Sequence, residues 1–177
     1  MKINPILAID GYKVSHRVQY PQGTTKVYSN FTPRSDRFFQ SPQADGKLVF
    51  FGLQGFLQWF LVDLFNEAFF ARPEEEVVNE YKQVMDGYLG RDTVGVEPIR
   101  ALHRLGYLPL HIKALDEGTK VPMKVPVLTI TNTQPEFFWL VKLSGDGAFG
   151  GAVESVNQRD HRPPLSPDLR TLGGENL

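Results

Sequence analysis

Between Phe51 and Phe70 the apolar residues Leu53, Phe56, Leu57, Phe60, Leu61, Leu64, Phe65 and Ala68 recur at spacings of three and four. That spacing lies on one face only if the chain is helical, and a face so rich in Phe and Leu must be covered by another layer. The period then shortens. Leu110-His111-Ile112-Lys113-Ala114-Leu115 alternates, Val127 to Thr131 is rich in strand formers behind Pro126, and Thr25 to Phe31 alternates as well. These three segments read as strands, with a turn at Asp116-Glu117-Gly118. Helices and strands in separate runs predict an α+β fold.

The remaining helices are marked by their ends. Pro73 opens and Gly90 closes a polar helix over Glu74 to Leu89, and Gly106 stops a short one over Glu97 to Leu105. The carboxylates of Glu74-Glu75-Glu76 suit the positive end of the helix dipole. Thr133, with Glu136 three residues on, predicts a capping box ahead of the apolar Phe137, Phe138, Leu140 and Val141. Pro33 to Lys47 reads as a loop apart from the Phe38-Phe39 pair. Near Leu143 the pattern stops: from Ser144 to Leu177 there are 6 glycines and 3 prolines in 34 residues and no apolar period. Residues 1–143 therefore read as the folded domain and residues 144–177 as a disordered tail.

Composition excludes several functions. With 19 basic against 20 acidic residues the net charge is −1, which gives no electrostatic footprint for nucleic acid or a membrane surface. Cys is absent, which removes thiol nucleophiles and zinc-thiolate sites. His16, His103, His111 and His161 have no metal-ligand spacing, so no metal site is expected. The amino terminus has too short an apolar run for a signal peptide, and no run is long enough to span a bilayer, making the cytoplasm the default location. Gly145-Asp146-Gly147-Ala148-Phe149-Gly150 spells G-x-G-x-x-G, but a helix precedes it and a Gly/Pro-rich tail follows, the wrong context for dinucleotide binding.

The informative segment is Asp10-Gly11-Tyr12-Lys13-Val14-Ser15-His16-Arg17-Val18-Gln19-Tyr20-Pro21. On composition alone it is an amphipathic helix with Asp10 as N-cap and a proline turn at its end. It also resembles the opening D-x-Y-K-x-[ST]-H-x-x-Q-Y-P of the nicotinamide phosphoribosyltransferase family. Four further blocks resemble that family in order: Thr25 to Arg34, Val49 to Gln54, Leu108 to Gly118 and Asn132 to Leu140. The resemblance runs from Ile6 to Val141 and stops where the composition changes.

The resemblance implies the amino-terminal α+β domain of a type II phosphoribosyltransferase, without its α/β barrel. The family joins nicotinamide to phosphoribosyl pyrophosphate, with Mg2+, to give nicotinamide mononucleotide and pyrophosphate in NAD salvage. It does so as a homodimer with sites at the subunit interface. By the same resemblance Tyr12 stacks on the pyridine ring in the partner's site, Asp10 is the aspartate beside it and Arg34 is a phosphate-binding arginine. A flat electron-rich ring suits an aromatic amide and its pyridinium product, and a guanidinium suits phosphate oxygens. The ring-sandwiching phenylalanine, the amide-selecting aspartate and the barrel have no match here. The expectation is a chain with no complete catalytic set, no cofactor bound by itself and no activity alone. A fragment of the related nicotinate phosphoribosyltransferase and a non-catalytic module that pairs with an intact subunit are the other readings. His16 and the Gln19-Tyr20-Pro21 continuation favour the nicotinamide branch.

The break itself has an explanation in the genetic code. Where the family continues N-Y-x-E-T and then W-x-P, this chain reads Lys142-Leu143-Ser144-Gly145-Asp146 onward. One permitted reverse translation, read one base later, restores both family motifs. The expectation is that the tail is a frameshift product.

Overall fold

The computed structural model describes residues 3–37 and 45–145. The Phe38-Phe39 pair, most of the G-x-G-x-x-G stretch and the tail from Asp146 lie outside the described residues. Two short 3-10 segments, Pro5–Leu7 and Gly11–Gln19, lead into strand β1 (Tyr28–Phe31). Strand β2 (Lys47–Val49) precedes helix α1 (Leu53–Phe56), which continues without a break as a wider π-wound helix through Leu57–Leu64 and Asn66–Phe70. Helices α2 (Glu74–Leu89) and α3 (Glu97–Leu105) follow. Strands β3 (Leu110–Ala114), β4 (Lys120–Pro122) and β5 (Leu128–Asn132) come next, then a 3-10 turn at Pro135–Phe137 and helix α4 (Leu140–Gly145). The α+β expectation holds.

The three strands read from the sequence form one antiparallel sheet in the order β1-β5-β3, and β2 pairs with β4 in a second. β5 is central and shows the burial alternation that a one-sided strand requires: Leu128, Ile130 and Asn132 are buried. α4 packs on β1 and β5, seating the fully buried Val141 among Leu128, Ile130, Phe50 and Leu53. A second apolar cluster lies among the 53–70 helix, α2 and α3, built on Phe65, Phe69, Val77, Ile99, Leu102 and Phe137. Phe50 and Phe69 are wholly buried. Fully burying such a side chain contributes about 1.5–3 kcal/mol each.

The structure corrects three readings. The 53–70 helix is wound wider than an ordinary α-helix over most of its length, as the Ala71 N–H bond to the Asn66 carbonyl at 2.9 Å shows. That winding aligns phenylalanines five apart: Phe60–Phe65 ring centroids are 5.9 Å apart and Phe65–Phe70 6.2 Å. Thr133 is not a cap. Pro135 takes the first helical position, so Gln134 is the N-cap, and the Thr133 N–H instead donates to the Pro109 carbonyl at 2.8 Å, prolonging the β3–β5 ladder. β2 and β4 were not expected, because a three-residue strand is too short to display a period.

The ends of α2 and α3 fall where Pro73, Gly90 and Gly106 place them. Gly106 takes a left-handed φ of 79°, and its N–H donates to the carbonyls of Leu102 and His103. The Glu74-Glu75 pair does more than complement a dipole. Glu74 accepts from Arg100 at 2.6 Å and from Arg104 at 2.9 Å, and Glu75 accepts from Arg100, tying α2 to α3.

Candidate functional site

The segment carrying Asp10 and Tyr12 is anchored from its amino-terminal side. Asn4, wholly buried, receives the Ile6 N–H on Oδ1 at 3.3 Å and donates from Nδ2 to the Val77 carbonyl of α2 at 3.4 Å. Ile6, 2 % exposed, then plugs into the α2–α3 cluster. At the other end the Tyr20 ring meets Phe138 edge-on, with centroids 5.2 Å apart. The 3-10 segment Gly11–Gln19, nine residues long, is thus preceded by an anchor in the helical cluster and followed by one on Phe138.

Asp10 sits at the N-cap position with an extended backbone, and its carbonyl accepts the Lys13 N–H at 2.9 Å. The sequence assigns its carboxylate to the backbone N–H groups of the first turn. In the structure that carboxylate makes no cap hydrogen bond and instead lies 3.0 Å from Lys13 Nζ. A buried ammonium needs an anion more than a short 3-10 turn needs a cap. Lys13 is 3 % exposed and is the functional-segment residue that sequence reasoning did not single out. The signal was present in the i, i+3 spacing of Asp10 and Lys13, which puts a carboxylate and an ammonium on one edge of a 3-10 turn.

Lys13 borders a small cavity of about 30 Å³ with Ile6, Ile9, Arg17, Tyr81 and Trp139. That volume admits water-sized molecules and not a pyridine ring. Burial pushes the Tyr81 hydroxyl up, opposed by the charge of Arg17. Tyr12 itself lies within the 3-10 segment Gly11–Gln19, and its side chain lies outside the described residues.

Arg34 is reached through a different element. Asn132, 1 % exposed at the end of β5, accepts the Val27 N–H on Oδ1 at 2.8 Å and donates to the carbonyls of Thr25 at 2.9 Å and Gln134 at 2.8 Å. This clamp fixes the approach to β1. Beyond β1, the Val127 N–H bonds the Phe31 carbonyl at 2.9 Å and the Lys124 N–H bonds the Pro33 carbonyl at 2.7 Å. Arg34 follows directly, exposed, and among the described residues its guanidinium has no hydrogen-bond or ion-pair partner. A permanent cation on a pinned loop can receive an anionic group at the cost of little reorganisation.

The structure thus joins Asp10 to Lys13 on one segment and presents Arg34 on another. Among the described residues no three of His, Cys, Asp and Glu converge as a metal site would require. None of the described helices is long and apolar enough to cross a membrane.

The sequence model of a family described as nicotinamide phosphoribosyltransferase, N-terminal domain, matches residues 4–94. The chain is 59% identical over 140 residues to a nicotinamide phosphoribosyltransferase of Acinetobacter baylyi, a match covering 78% of this chain and 28% of that protein. It is 28% identical over 145 residues to one of Xanthomonas campestris pv. campestris, covering 77% of this chain and 26% of that protein. It is 25% identical over 150 residues to one of Mycoplasma pneumoniae, covering 77% and 32% respectively. The chain spans about a third or less of the length of these curated relatives.

Proposed function

Because the chain belongs to the nicotinamide phosphoribosyltransferase N-terminal domain family, we propose that it supplies the amino-terminal part of a phosphoribosyltransferase site and is inactive alone. The reaction of the whole enzyme is substitution at the ribose anomeric carbon. The pyridine nitrogen of nicotinamide attacks, pyrophosphate leaves, and nicotinamide mononucleotide forms in NAD salvage. The observation that carries this reading is that one family match, residues 4–94, contains Asp10, Tyr12 and Arg34 together.

In this reading Tyr12 gives the pyridine ring one stacking face in the second subunit of a cytoplasmic homodimer, and Arg34 holds a phosphate. Asp10 neutralises Lys13, 3.0 Å away, and so keeps the turn that carries Tyr12 in one conformation. The second face for the ring, the residues that select the amide and the barrel of a type II phosphoribosyltransferase belong to family polypeptide beyond the matched stretch. Mg2+ enters the family reaction with phosphoribosyl pyrophosphate. The described residues here do not form an oxygen cage for it, and the Asp10 carboxylate is engaged by Lys13, so no step is assigned to a metal on this chain.

The test compares two proteins for nicotinamide mononucleotide formation from nicotinamide and phosphoribosyl pyrophosphate. One is the purified chain. The other is residues 1–143 fused to the Acinetobacter baylyi polypeptide beyond its matched stretch. Silence from the chain and turnover by the fusion are expected. Turnover by the chain, or a folded fusion that prefers nicotinate, overturns the proposal.

A further inference from the structure

Two residues other than glycine take a left-handed φ among the described residues, Asp92 at 59° and Lys124 at 67°. Aspartate enters that region more readily than most residues. The Asp92 carboxylate there accepts from Lys82 Nζ at 2.5 Å, and its N–H donates to the Asp86 carboxylate at 2.9 Å. Lysine has no short polar side chain to compensate, so its left-handed backbone must be held by what surrounds it.

What surrounds it is the loop that carries Arg34. Successive N–H groups of the turn between β4 and β5 reach two separate stretches of chain. Met123 donates to the Gly46 carbonyl at 3.0 Å and Lys124 to the Pro33 carbonyl at 2.7 Å. Three residues on, Val127, 1 % exposed, donates to the Phe31 carbonyl at 2.9 Å as the chain enters β5. The peptide before Lys124 sets the direction of its N–H, and φ sets the course of the chain beyond it. The left-handed φ thus lets one turn aim an N–H at Pro33 and still deliver Val127 to the buried sheet. A residue that avoids this region must give up one of the two. The Lys124 bond, at an exposed position, yields before the close-packed entry to β5 does. On the far side of Arg34 the Arg37 N–H donates to Ser35 Oγ at 3.1 Å, so the arginine sits between two fixed points.

We propose that Lys124 is a positioning residue for Arg34, acting through its left-handed backbone and not through its ammonium. This role rests on the reading of Arg34 as a phosphate ligand: the β4–β5 turn sets the angle at which the guanidinium meets phosphoribosyl pyrophosphate.

The test compares two substitutions. Lys124→Asn removes the charge and accepts a left-handed φ, whereas Lys124→Val removes the charge and resists that φ. Lys124→Thr, β-branched but polar, takes the place of Lys124→Val if the valine variant does not fold. In the full chain the backbone amide NMR signal of Arg34 should move in Lys124→Val and stay in place in Lys124→Asn. In the fused enzyme Lys124→Val should raise the KM for phosphoribosyl pyrophosphate at least ~5-fold, since a misplacement of about 1 Å can cost ~100-fold. Lys124→Asn should keep the parent value, and the KM for nicotinamide should stay unchanged in both. With Arg34→Gln already in place, Lys124→Val should add nothing further. Equal rises in the two variants assign the effect to the ammonium and overturn the proposal, as does a rise that persists without Arg34. A lowered melting temperature with an unchanged KM makes Lys124 purely structural and overturns it as well. A silent fusion beside a displaced Arg34 signal removes the catalytic reading and leaves the positioning of Arg34 standing. An unmoved Arg34 signal beside a working fusion removes the positioning role alone.

Discussion

Lys13 Nζ lies 3.0 Å from Asp10 Oδ2, with the lysine side chain 1% exposed and the aspartate side chain 43% exposed. One carboxylate at the surface thus neutralises an ammonium that has almost no access to water. The two partners are not equivalent: removing the anion takes a counter-charge away from a buried ammonium, whereas removing the cation leaves a carboxylate that water can solvate.

Asp10→Asn is therefore expected to cost more stability than Lys13→Met. A broken fully buried pair costs about 3–5 kcal/mol, and the exposure of Asp10 reduces the expected loss to roughly 1–3 kcal/mol. The double variant should recover part of that loss. Urea midpoints of the three variants check this, and a Lys13→Met loss exceeding that of Asp10→Asn would contradict it.

The α2–α3 contact has a pH signature. Hydrogen bonds from Arg104 and then Arg100 hold the Glu74 carboxyl down at about 2, from an ordinary 4.5. A carboxyl whose folded pKa is depressed contributes stability that is fully present above its unfolded value and disappears as pH falls through its folded value. The window is therefore pH 4.5 down to about 2. Glu74→Gln should lower the urea midpoint at neutral pH, and the gap to the parent should close across that window. A gap that stays constant from pH 7 to pH 2 would show that the ion pairs add no coupling.

Asn132 joins the start of β1 to the end of β5 through three backbone groups. Asn132→Ala leaves those groups without partners in a buried place, at about 1–3 kcal/mol for each one that water cannot reach. A total loss of about 2–4 kcal/mol is expected, since part of the site relaxes toward solvent. Asn132→Asp keeps the acceptor for the Val27 N–H but loses both donations, and should fall as far or further because it buries a charge. Denaturant titration of the two variants decides, and an Asn132→Ala protein as stable as the parent would remove the clamp from the account.

How much of this was legible in the sequence depends on how local each signal is. The limits of α2 and α3 follow from Pro73, Gly90 and Gly106, because a proline or a left-handed glycine acts on its own neighbours. The winding of the 53–70 helix was not legible, since residues such as Phe60 and Phe65 fit both an ordinary apolar face and a five-residue alignment. Pairing is less local still. The three strands bond to one another, Tyr28 with Thr131 and His111 with Thr131, across about a hundred residues in one case and twenty in the other. At the site, Asp10 was found but assigned to the wrong donor. Lys13 was passed over because a lysine in a polar-looking segment reads as surface, and its burial is decided by Ile6 and Tyr81, which the motif does not contain.

Arg34 separates a functional role from a structural one most cleanly. It is exposed, its loop is pinned through the Pro33 carbonyl rather than through its own side chain, and among the described residues its guanidinium has no partner. A residue so placed contributes little to folding, so Arg34→Gln should change stability by no more than about 0.5 kcal/mol. If Arg34 holds a phosphate, the same change in the fused enzyme deletes a charge-assisted hydrogen bond of about 1.5–3 kcal/mol, a rise of roughly ten- to hundredfold in KM for phosphoribosyl pyrophosphate. The KM for nicotinamide should move far less, because that ligand carries no phosphate. Arg34→Lys keeps the charge but not the planar fork and should fall between the two. Steady-state kinetics in both substrates, beside urea titrations of each variant, provide the measurement. A KM for phosphoribosyl pyrophosphate unchanged in Arg34→Gln would take this arginine out of the site.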